Sequence, residues 1–249
     1  MGRDFEIEQE LPVEATPEQI WDAIATGPGI DSWFMGRNEV TPGPGGAVST
    51  VFGGYAPTLP ITAWEPGRRL AYGEPPGPDG RFVAYEFLVE GRAGGSAVLR
   101  TVASGFLPGD DWADEFEAMG LGLGLFFRTL GEYLTWFRGR TARPVTVFGP
   151  PVADWPRAWA ALHGALGLTG TPRPGDPVRL TVGGEPATGT VYHVSAQTLG
   201  VRTPDALLRF VRGFQGSMVA MHHLFTPTQT DPDAAWRSWL DATFAGDTA

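Results

Sequence analysis

The alternation of hydrophobic and polar positions changes twice along the first half of the chain. Residues 5–13 alternate strictly, which predicts a half-buried strand. Thr16 and Gln19 then form a capping-box pattern that opens a short helix. Between residues 36 and 106, short runs separated by Gly and Pro predict an antiparallel meander with strands at 46–52, 59–65, 69–73, 82–89 and 97–106. Residues 110–138 repeat apolar side chains every three or four positions, which predicts a long amphipathic helix.

The same succession starts again in the second half of the chain. Its predicted elements are a strand at 145–148, a helix at 154–166, strands at 178–182, 188–194, 198–203, 207–212 and 217–225, and a capped helix at 231–244. Because both halves run strand, helix, several strands and helix, we predict an internal duplication. The predicted domains are 1–139 and 145–249, joined by a linker at 140–144. The alternative is one α+β domain with a long tail.

Composition excludes several classes of function. The net charge is −10 and the chain has neither Lys nor a block of Arg, so we expect no nucleic-acid partner. The absence of Cys excludes disulfides, thiol catalysis and cysteine metal sites. No uncharged apolar run reaches the length of about 18 residues that membrane insertion needs. The N-terminus is charged from Arg3 onward, unlike a signal peptide, and we therefore expect a cytoplasmic protein.

Five ordered segments of the first half resemble a known family. They are Pro12-Val-Glu-Ala-Thr-Pro-Glu-Gln-Ile-Trp-Asp-Ala-Ile24, Trp33-Phe34, Gly45-Gly46, Ile61-Thr-Ala-Trp-Glu-Pro-Gly-Arg-Arg-Leu70 and Ser104-Gly-Phe106. In this order they resemble the SRPBCC superfamily (START-like, Bet v1-like), in the branch similar to the C-terminal domain of the activator of Hsp90 ATPase. The resemblance covers about residues 5–138. The second half fits more loosely, because it lacks the Trp-Phe pair and the Trp-Glu-Pro-Gly segment.

The resemblance implies an α+β helix-grip fold, in which a curved antiparallel sheet wraps around a long C-terminal helix. We expect two tandem copies, the second shorter and degenerate. It also implies a cavity between sheet and helix, which relatives use to bind lipids, hormones or polyketides. Because one fold serves many functions, the resemblance does not choose among these ligands.

The alternation of each strand selects the side chains that would face such a cavity. Ten residues are our candidates for ligand binding: Trp33, Phe34, Tyr72, Tyr85, Phe87, Leu99, Thr101, Met119, Leu123 and Phe126. We expect Trp33 and Phe34 near the mouth and Arg100 on the outer face. The alternative for each of the ten is ordinary packed core. A register shift of one residue would reverse every inward assignment.

Three of the histidines are candidate metal ligands. His222 and His223 are adjacent on a predicted strand, so they point to opposite faces and cannot hold one metal together. His193 lies on another strand and could approach one of them, which with a carboxylate would make a metal site. The favoured interpretation is one histidine facing the core and one facing solvent, with no metal and no cofactor.

Two further patterns in the long helix admit more than one interpretation. Gly120-Leu-Gly-Leu-Gly124 lies inside a helical pattern, so it is not a dinucleotide-binding loop. Its glycines allow either close packing of the helix backbone or extra room for a ligand. The acidic residues at positions 110–117 are best explained by their place in the first turns of the helix, where the macrodipole favours negative charge.

Three functions follow from these patterns. The favoured one is binding of an apolar small molecule, with no catalytic residues assigned. An enzyme of the cyclase or hydrolase type, acting on a polyketide-like substrate, is the second. It needs a buried polar group with a shifted pKa, for which the candidates are Tyr85 and either His193 or His222. A protein-interaction module similar to the Hsp90 activator is the third. Fusion of two such domains predicts a monomer with an internal pseudo-dimer.

Overall fold

The computed structural model describes residues 2–109, 112–213, 216–227 and 231–245, and for residues 112–115 and 118 it describes the backbone alone. The chain divides into two units, Met1–Thr141 and Ala142–Ala249, called unit 1 and unit 2 below. The division falls within the predicted linker at 140–144.

Unit 1 follows the order that the sequence pattern predicts. Its elements are β1 (Arg3–Val13), α1 (Pro17–Ala25), α2 (Gly27–Ile30), β2 (Arg37–Thr41), β3 (Ala47–Val51), β4 (Thr58–Glu65), β5 (Arg69–Gly73), β6 (Phe82–Arg92), β7 (Ser96–Leu107) and α3 (Trp112–Trp136). The predicted capping box is present, because the Thr16 hydroxyl accepts from the backbone N–H of Gln19 and the Gln19 side chain accepts from the backbone N–H of Thr16. Of these strands, β2 was not among the predicted ones.

All seven strands of unit 1 form one antiparallel sheet in the order β1-β7-β6-β5-β4-β3-β2. The first strand therefore lies beside the last, and the long helix α3 follows the last strand in sequence. In β1 the even-numbered residues up to Pro12 are exposed while the odd-numbered ones from Phe5 are buried or half-buried, as an edge strand with one covered face requires. Rings on the covered face meet α3, as at Phe5 and Phe116 (6.0 Å between centroids).

Unit 2 repeats this topology with fewer elements. They are β8 (Arg143–Pro151), α4 (Trp155–Ala165), β9 (Pro177–Val182), β10 (Glu185–Val194), β11 (Thr198–Arg202), β12 (Ala206–Arg212), β13 (Ser217–Leu224) and α5 (Pro232–Phe244). The sheet order is β8-β13-β12-β11-β10-β9, so again the first strand pairs with the last. Strand β8 begins at Arg143, two residues before the predicted strand, and so includes the end of the predicted linker.

The two units are thus both helix-grip folds: an antiparallel sheet whose first and last strands are neighbours, followed by a C-terminal helix. Unit 2 has six strands where unit 1 has seven, and its final helix has 13 residues where α3 has 25. The tandem α+β arrangement predicted from the repeated pattern is confirmed. Among the described residues, no helix is both long enough and apolar enough to cross a bilayer.

Candidate functional site

The candidate site lies on the covered face of the unit 1 sheet, where cross-strand pairs bring the aromatic residues of β5 and β6 together. Tyr72 pairs with Tyr85, and Leu70 pairs with Phe87 in the next row. The Tyr72 ring lies 5.6 Å from the Tyr85 ring and 6.0 Å from the Phe87 ring, measured between centroids. Tyr72, Tyr85 and Phe87 therefore share one face of the sheet.

Phe34 and Trp33 join this aromatic wall from the segment between α2 and β2. The Phe34 ring lies 6.5 Å from Tyr85, and the Trp33 ring lies 6.2 Å from Phe87. The prediction that both lie near the mouth is wrong for Trp33, which is only 1% exposed. Its indole Nε1 donates to the Ala23 carbonyl at 2.9 Å, and this bond draws the ring into the interior.

A buried polar clamp fixes the segment that carries these two rings. The Asp31 carboxylate accepts from the backbone N–H of Asn38 at 2.6 Å and from its side-chain amide at 3.0 Å. The Thr50 hydroxyl donates to the Asn38 side chain at 2.7 Å. Burial raises the pKa of Asp31, and the bonds from Asn38 and the charge of Arg37 oppose this shift. The clamp joins the end of α2 to β2 and β3, so the position of Phe34 is set by buried hydrogen bonds.

The long helix α3 supplies the opposite wall. Its Phe126 ring lies 4.9 Å from Phe34, and its Phe127 ring lies 6.5 Å from Phe87. Leu123 is buried at 3% exposure, one turn nearer the start of the helix, and Met119 is half-buried. Phe127 is not among the candidates, because the helical pattern favours its neighbour Phe126. The two residues lie 100° apart around the axis, so Phe126 contacts Phe34 while Phe127 contacts Phe87 of the sheet.

Accessibility of the covered face increases toward one end of the sheet. Leu99 and Phe87 are 0% and 1% exposed, and Tyr72 is 4% exposed. Tyr85, in the same row as Tyr72, is partly exposed, and Val83 beyond it is partly exposed as well. On β6 the covered face is therefore buried at Phe87 and partly exposed at Tyr85 and Val83, whereas on β7 it stays buried through Leu107. The partly exposed stretch of β6 around Val83 is called the open end below. Leu99 belongs to the buried core, and Tyr85 lies at the border of the open end.

Thr101 lies in the Phe87 row and is 2% exposed. Its hydroxyl donates to the Gln9 backbone carbonyl at 3.5 Å, a contact at the limit of hydrogen bonding. This side chain faces the aromatic wall with its polar atom turned to the neighbouring strand. Arg100, one residue earlier, points outward as predicted and lies 3.5 Å from Glu10.

Tyr72 and Tyr85 are the polar groups of the aromatic wall. Among the described residues, none forms a hydrogen bond with either phenol. Neither phenol oxygen is among the enclosed side-chain atoms that lack a partner. Burial raises the pKa of Tyr72 far above its usual value, and the neighbouring Tyr85 adds to the shift. Burial also raises the pKa of Tyr85 to about 12, with smaller contributions from Tyr55 and Glu74. Both phenols therefore stay protonated at neutral pH, so they can donate a hydrogen bond but cannot act as bases.

Three glycines of α3 lie within about 40° of one another around the helix axis: Gly120, Gly124 and Gly131. A Cβ atom at Gly120 would lie 3.9 Å from Ile7 of β1, and one at Gly131 would lie 3.2 Å from Leu11 of β1. A Cβ atom at Gly122 or Gly124 would have no neighbour within 4 Å. Close packing against β1 thus explains Gly131, whereas Gly124 has open space beside it. The acidic residues Asp110 and Asp111 and the side chains of Asp114 and Glu115 lie outside the described residues.

Unit 2 has a filled core in the corresponding place. Leu199, Phe210, Leu240 and Phe244 are each 0% exposed, and Trp236 packs against Phe210 at 6.1 Å. Unit 2 also has a groove of about 470 Å³ that is open to solvent. It is lined by Gly183, Asp231, Ala234, Ala235, Ser238 and Trp239. It lies between α5 and the turn that joins β9 to β10, and its lining residue Trp239 also contacts the core residue Phe210, with 5.6 Å between ring centroids.

The expectation that one of the paired histidines faces solvent is wrong, because His222 and His223 are 1% and 0% exposed. His222 Nδ1 accepts from the backbone N–H of Arg209 at 3.0 Å, and the imidazole lies 4.0 Å from the Trp236 ring. Burial and the charge of Arg209 lower the pKa of His222 to about 3, so the ring is neutral. His193 instead shares a hydrogen bond with the Thr198 hydroxyl at 3.0 Å. Within the described part of the chain, no three His, Asp or Glu side chains are grouped as metal ligands would be.

Glu74 is, with Phe127, a residue of this region that the sequence pattern does not select. The predicted strand ended at Gly73, but the Glu74 backbone N–H donates to the Val83 carbonyl at 2.9 Å and so continues the pairing of β5 with β6. Continuing the alternation of Leu70 and Tyr72 by one step would have placed Glu74 on the same face.

No protein-family model matches the sequence, and no curated protein matches it. Solved structures are similar to it at low identity. DynU16, from the dynemicin biosynthetic locus, has a TM-score of 0.45 and 17% identity over 97% of both chains. The di-domain ARO/CYC BexL from the BE-7585A biosynthetic pathway has a TM-score of 0.47 and 11% identity over 97% of this chain and 94% of its own. The Aha1 dimer from Colwellia psychrerythraea has a TM-score of 0.42 and 20% identity over 52% of this chain and 96% of its own.

Proposed function

We propose that unit 1 binds a small, largely apolar molecule between α3 and the open end of its sheet. The observation that carries this proposal is the pair of protonated phenols, Tyr72 and Tyr85, set in an aromatic wall without hydrogen bonds to any described residue. A ligand with a carbonyl or hydroxyl oxygen would accept from them. Ligand pockets commonly combine apolar walls with a few such polar groups.

The packing of the site favours binding over structural filling. Neither phenol oxygen is among the enclosed side-chain atoms that lack a hydrogen-bond partner, so a ligand could take the place of solvent beside them. The partial exposure of Tyr85 and Val83 gives a ligand a route to the wall. We propose no second site of this kind in unit 2, because its core is filled.

The test is native mass spectrometry of protein purified without detergent, followed by thermal shift with fatty acids, aromatic polyketides and isoprenoids. A ligand that binds only the folded state raises the melting temperature in proportion to its concentration relative to Kd. A co-purifying mass or a saturable rise would support the proposal. A protein that carries no ligand and responds to none of these compounds would instead favour the protein-interaction alternative.

A matched pair of variants locates the site. Val83→Trp places a large ring on the covered face at the open end, whereas Val102→Trp places the same ring on the outer face of the adjacent strand, where Val102 pairs with Glu86. We expect Val83→Trp to abolish the ligand response and Val102→Trp to retain it. Equal responses from the two variants would place the ligand elsewhere on the chain.

The cyclase-type alternative has one observation in its favour. A protonated phenol can donate a hydrogen bond to a carbonyl oxygen as negative charge develops on it, and Tyr72 and Tyr85 are both protonated. Turnover of a linear polyketide substrate by the wild type, lost in Tyr85→Phe with ligand binding retained, would favour this alternative. Binding without turnover would leave the binding function.

The tandem arrangement also leads us to propose that the chain is a monomer, because two copies of the fold are already joined covalently. Size-exclusion chromatography with light scattering tests this. A mass near twice 26.7 kDa would contradict it.

A further inference from the structure

Glu74 places a carboxylate at the open end of the aromatic wall. Leu70 and Tyr72 face α3, and the bond from the Glu74 backbone N–H to the Val83 carbonyl keeps the strand pairing intact for two more residues. Because strand side chains alternate between faces, Glu74 lies on the same face as Tyr72, one row nearer the open end. Glu74 is half-buried, so its carboxylate lies between the aromatic wall and solvent.

The hairpin between β3 and β4 contacts this carboxylate. Phe52 and Tyr55 exchange backbone hydrogen bonds across Gly53 and Gly54, and the Tyr55 hydroxyl donates to Glu74 Oε1 at 3.4 Å. Tyr55 is 57% exposed, so this bond lies at the surface. Among the described residues, neither Arg nor His forms an ion pair with Glu74. Its negative charge is therefore held beside the wall by a neutral donor.

We propose that Glu74 sets the charge preference of this site, so that unit 1 selects neutral ligands over anionic ones of the same shape. The inference rests on the proposed function of unit 1. A ligand carboxylate that reached Tyr85 would lie near a second negative charge in a place of reduced solvation, which is unfavourable. A ligand hydroxyl could instead donate to Glu74. Consistently, Glu74 contributes to the raised pKa of Tyr85, after burial and Tyr55.

The experiment compares 2-naphthol with 2-naphthoate, which share one ring system and at pH 7 differ in charge. Calorimetric titration gives Kd for both probes with the wild type, with Glu74→Gln and with Glu90→Gln. Glutamine keeps the size of the side chain and removes its charge. Glu90 is an exposed carboxylate near the other end of β6, so its substitution changes the net charge by the same amount away from the site.

We expect the wild type to bind 2-naphthol more tightly than 2-naphthoate. In Glu74→Gln the affinity for 2-naphthoate should rise by about fivefold, the effect of one charge several ångströms away near a protein surface, while that for 2-naphthol stays within about twofold. If Glu74→Gln bound both probes with the same ratio of affinities as the wild type, this inference would be overturned and the proposed function would stand. An equal gain in Glu90→Gln would overturn it too, because net charge would then be the cause. If neither probe bound the wild type or either variant, the proposed function would fail and this inference with it.

Discussion

The phenol of Tyr72 separates a binding role from a structural one, and Tyr72→Phe is the substitution that tests it. Tyr72 is 4% exposed and its ring contacts Tyr85 and Phe87, so Phe retains every ring contact. Only the hydroxyl is lost, and among the described residues it has no hydrogen-bond partner. In the ligand-free protein this hydroxyl should therefore contribute nothing to stability.

The expected magnitude follows from the asymmetry of buried hydrogen bonds. Leaving a buried polar group unpaired costs about 1–3 kcal/mol, and replacing it with an apolar group of the same shape is neutral or favourable. Because the open end of the wall lies nearby, solvent relieves part of that penalty. We therefore expect Tyr72→Phe to leave the free energy of unfolding unchanged or to raise it by up to about 1 kcal/mol. Binding should weaken by roughly twofold to tenfold, the loss of one neutral hydrogen bond to the ligand.

Tyr133→Phe is the matched control within unit 1. Tyr133 is 5% exposed, and its hydroxyl donates to the Arg140 carbonyl at 3.1 Å. Removing it breaks a bond that is present, so this variant should lose about 1–2 kcal/mol of stability and keep its affinity for 2-naphthol. Urea unfolding followed by tryptophan fluorescence gives the first quantity, and calorimetric titration gives the second. A Tyr72→Phe variant that is destabilised as much as Tyr133→Phe, with affinity unchanged, would refute the reasoning.

Three further predictions concern stability. Gly122→Ala in α3 should stabilise unit 1 by up to about 1 kcal/mol in urea unfolding, because a Cβ there has no neighbour within 4 Å. Gly131→Ala should stabilise unit 1 less or destabilise it, because its Cβ would lie 3.2 Å from Leu11. Trp33→Phe should lose about 1–2 kcal/mol, because the carbonyl of α1 that accepts from its indole is left unpaired. The folded-state pKa of His222 is about 3, below its unfolded value of about 6.5. The neutral imidazole therefore contributes to the free energy of unfolding above pH 6.5. This contribution is lost as pH falls toward 3, by at most about 1.4 kcal/mol per pH unit. His222→Gln should flatten that part of the unfolding profile, and an unchanged slope would contradict the assignment.

Local rules predicted the elements well where each segment carries its own signal. The capping box at Thr16 and the strict alternation of residues 5–13 depend only on neighbours in sequence, and both appear in the structure as predicted. Strand β2 was missed because it forms the edge of the sheet, and the buried side of this strand is carried by Asn38, a polar residue. Its burial depends on Asp31 and Thr50, which no local pattern links to it.

The candidate site shows the same limit. The shared face of Tyr72, Tyr85 and Phe87 follows from alternation and register, and the structure places them together. The degree to which each residue on that face is buried does not follow from alternation. It depends on how far α3 and the α2–β2 segment extend over each row of the sheet. The sequence therefore did not distinguish Trp33, which is enclosed, from Tyr85, which is accessible.

The two units give the strongest argument that the phenols are there for a ligand. Both units have the same strand order around a final helix, and unit 2 closes the arrangement with Phe210, Trp236 and Phe244 on the short helix α5 and its sheet. Unit 2 also encloses polar side chains, because Arg209, His222 and His223 are 1%, 1% and 0% exposed. Unit 1 differs in that its two phenol hydroxyls have no partner among the described residues and are not among the enclosed atoms, and a carboxylate lies one row away. A few accessible polar groups set in an apolar wall are typical of ligand pockets, so these three groups are best explained by a molecule that contacts them.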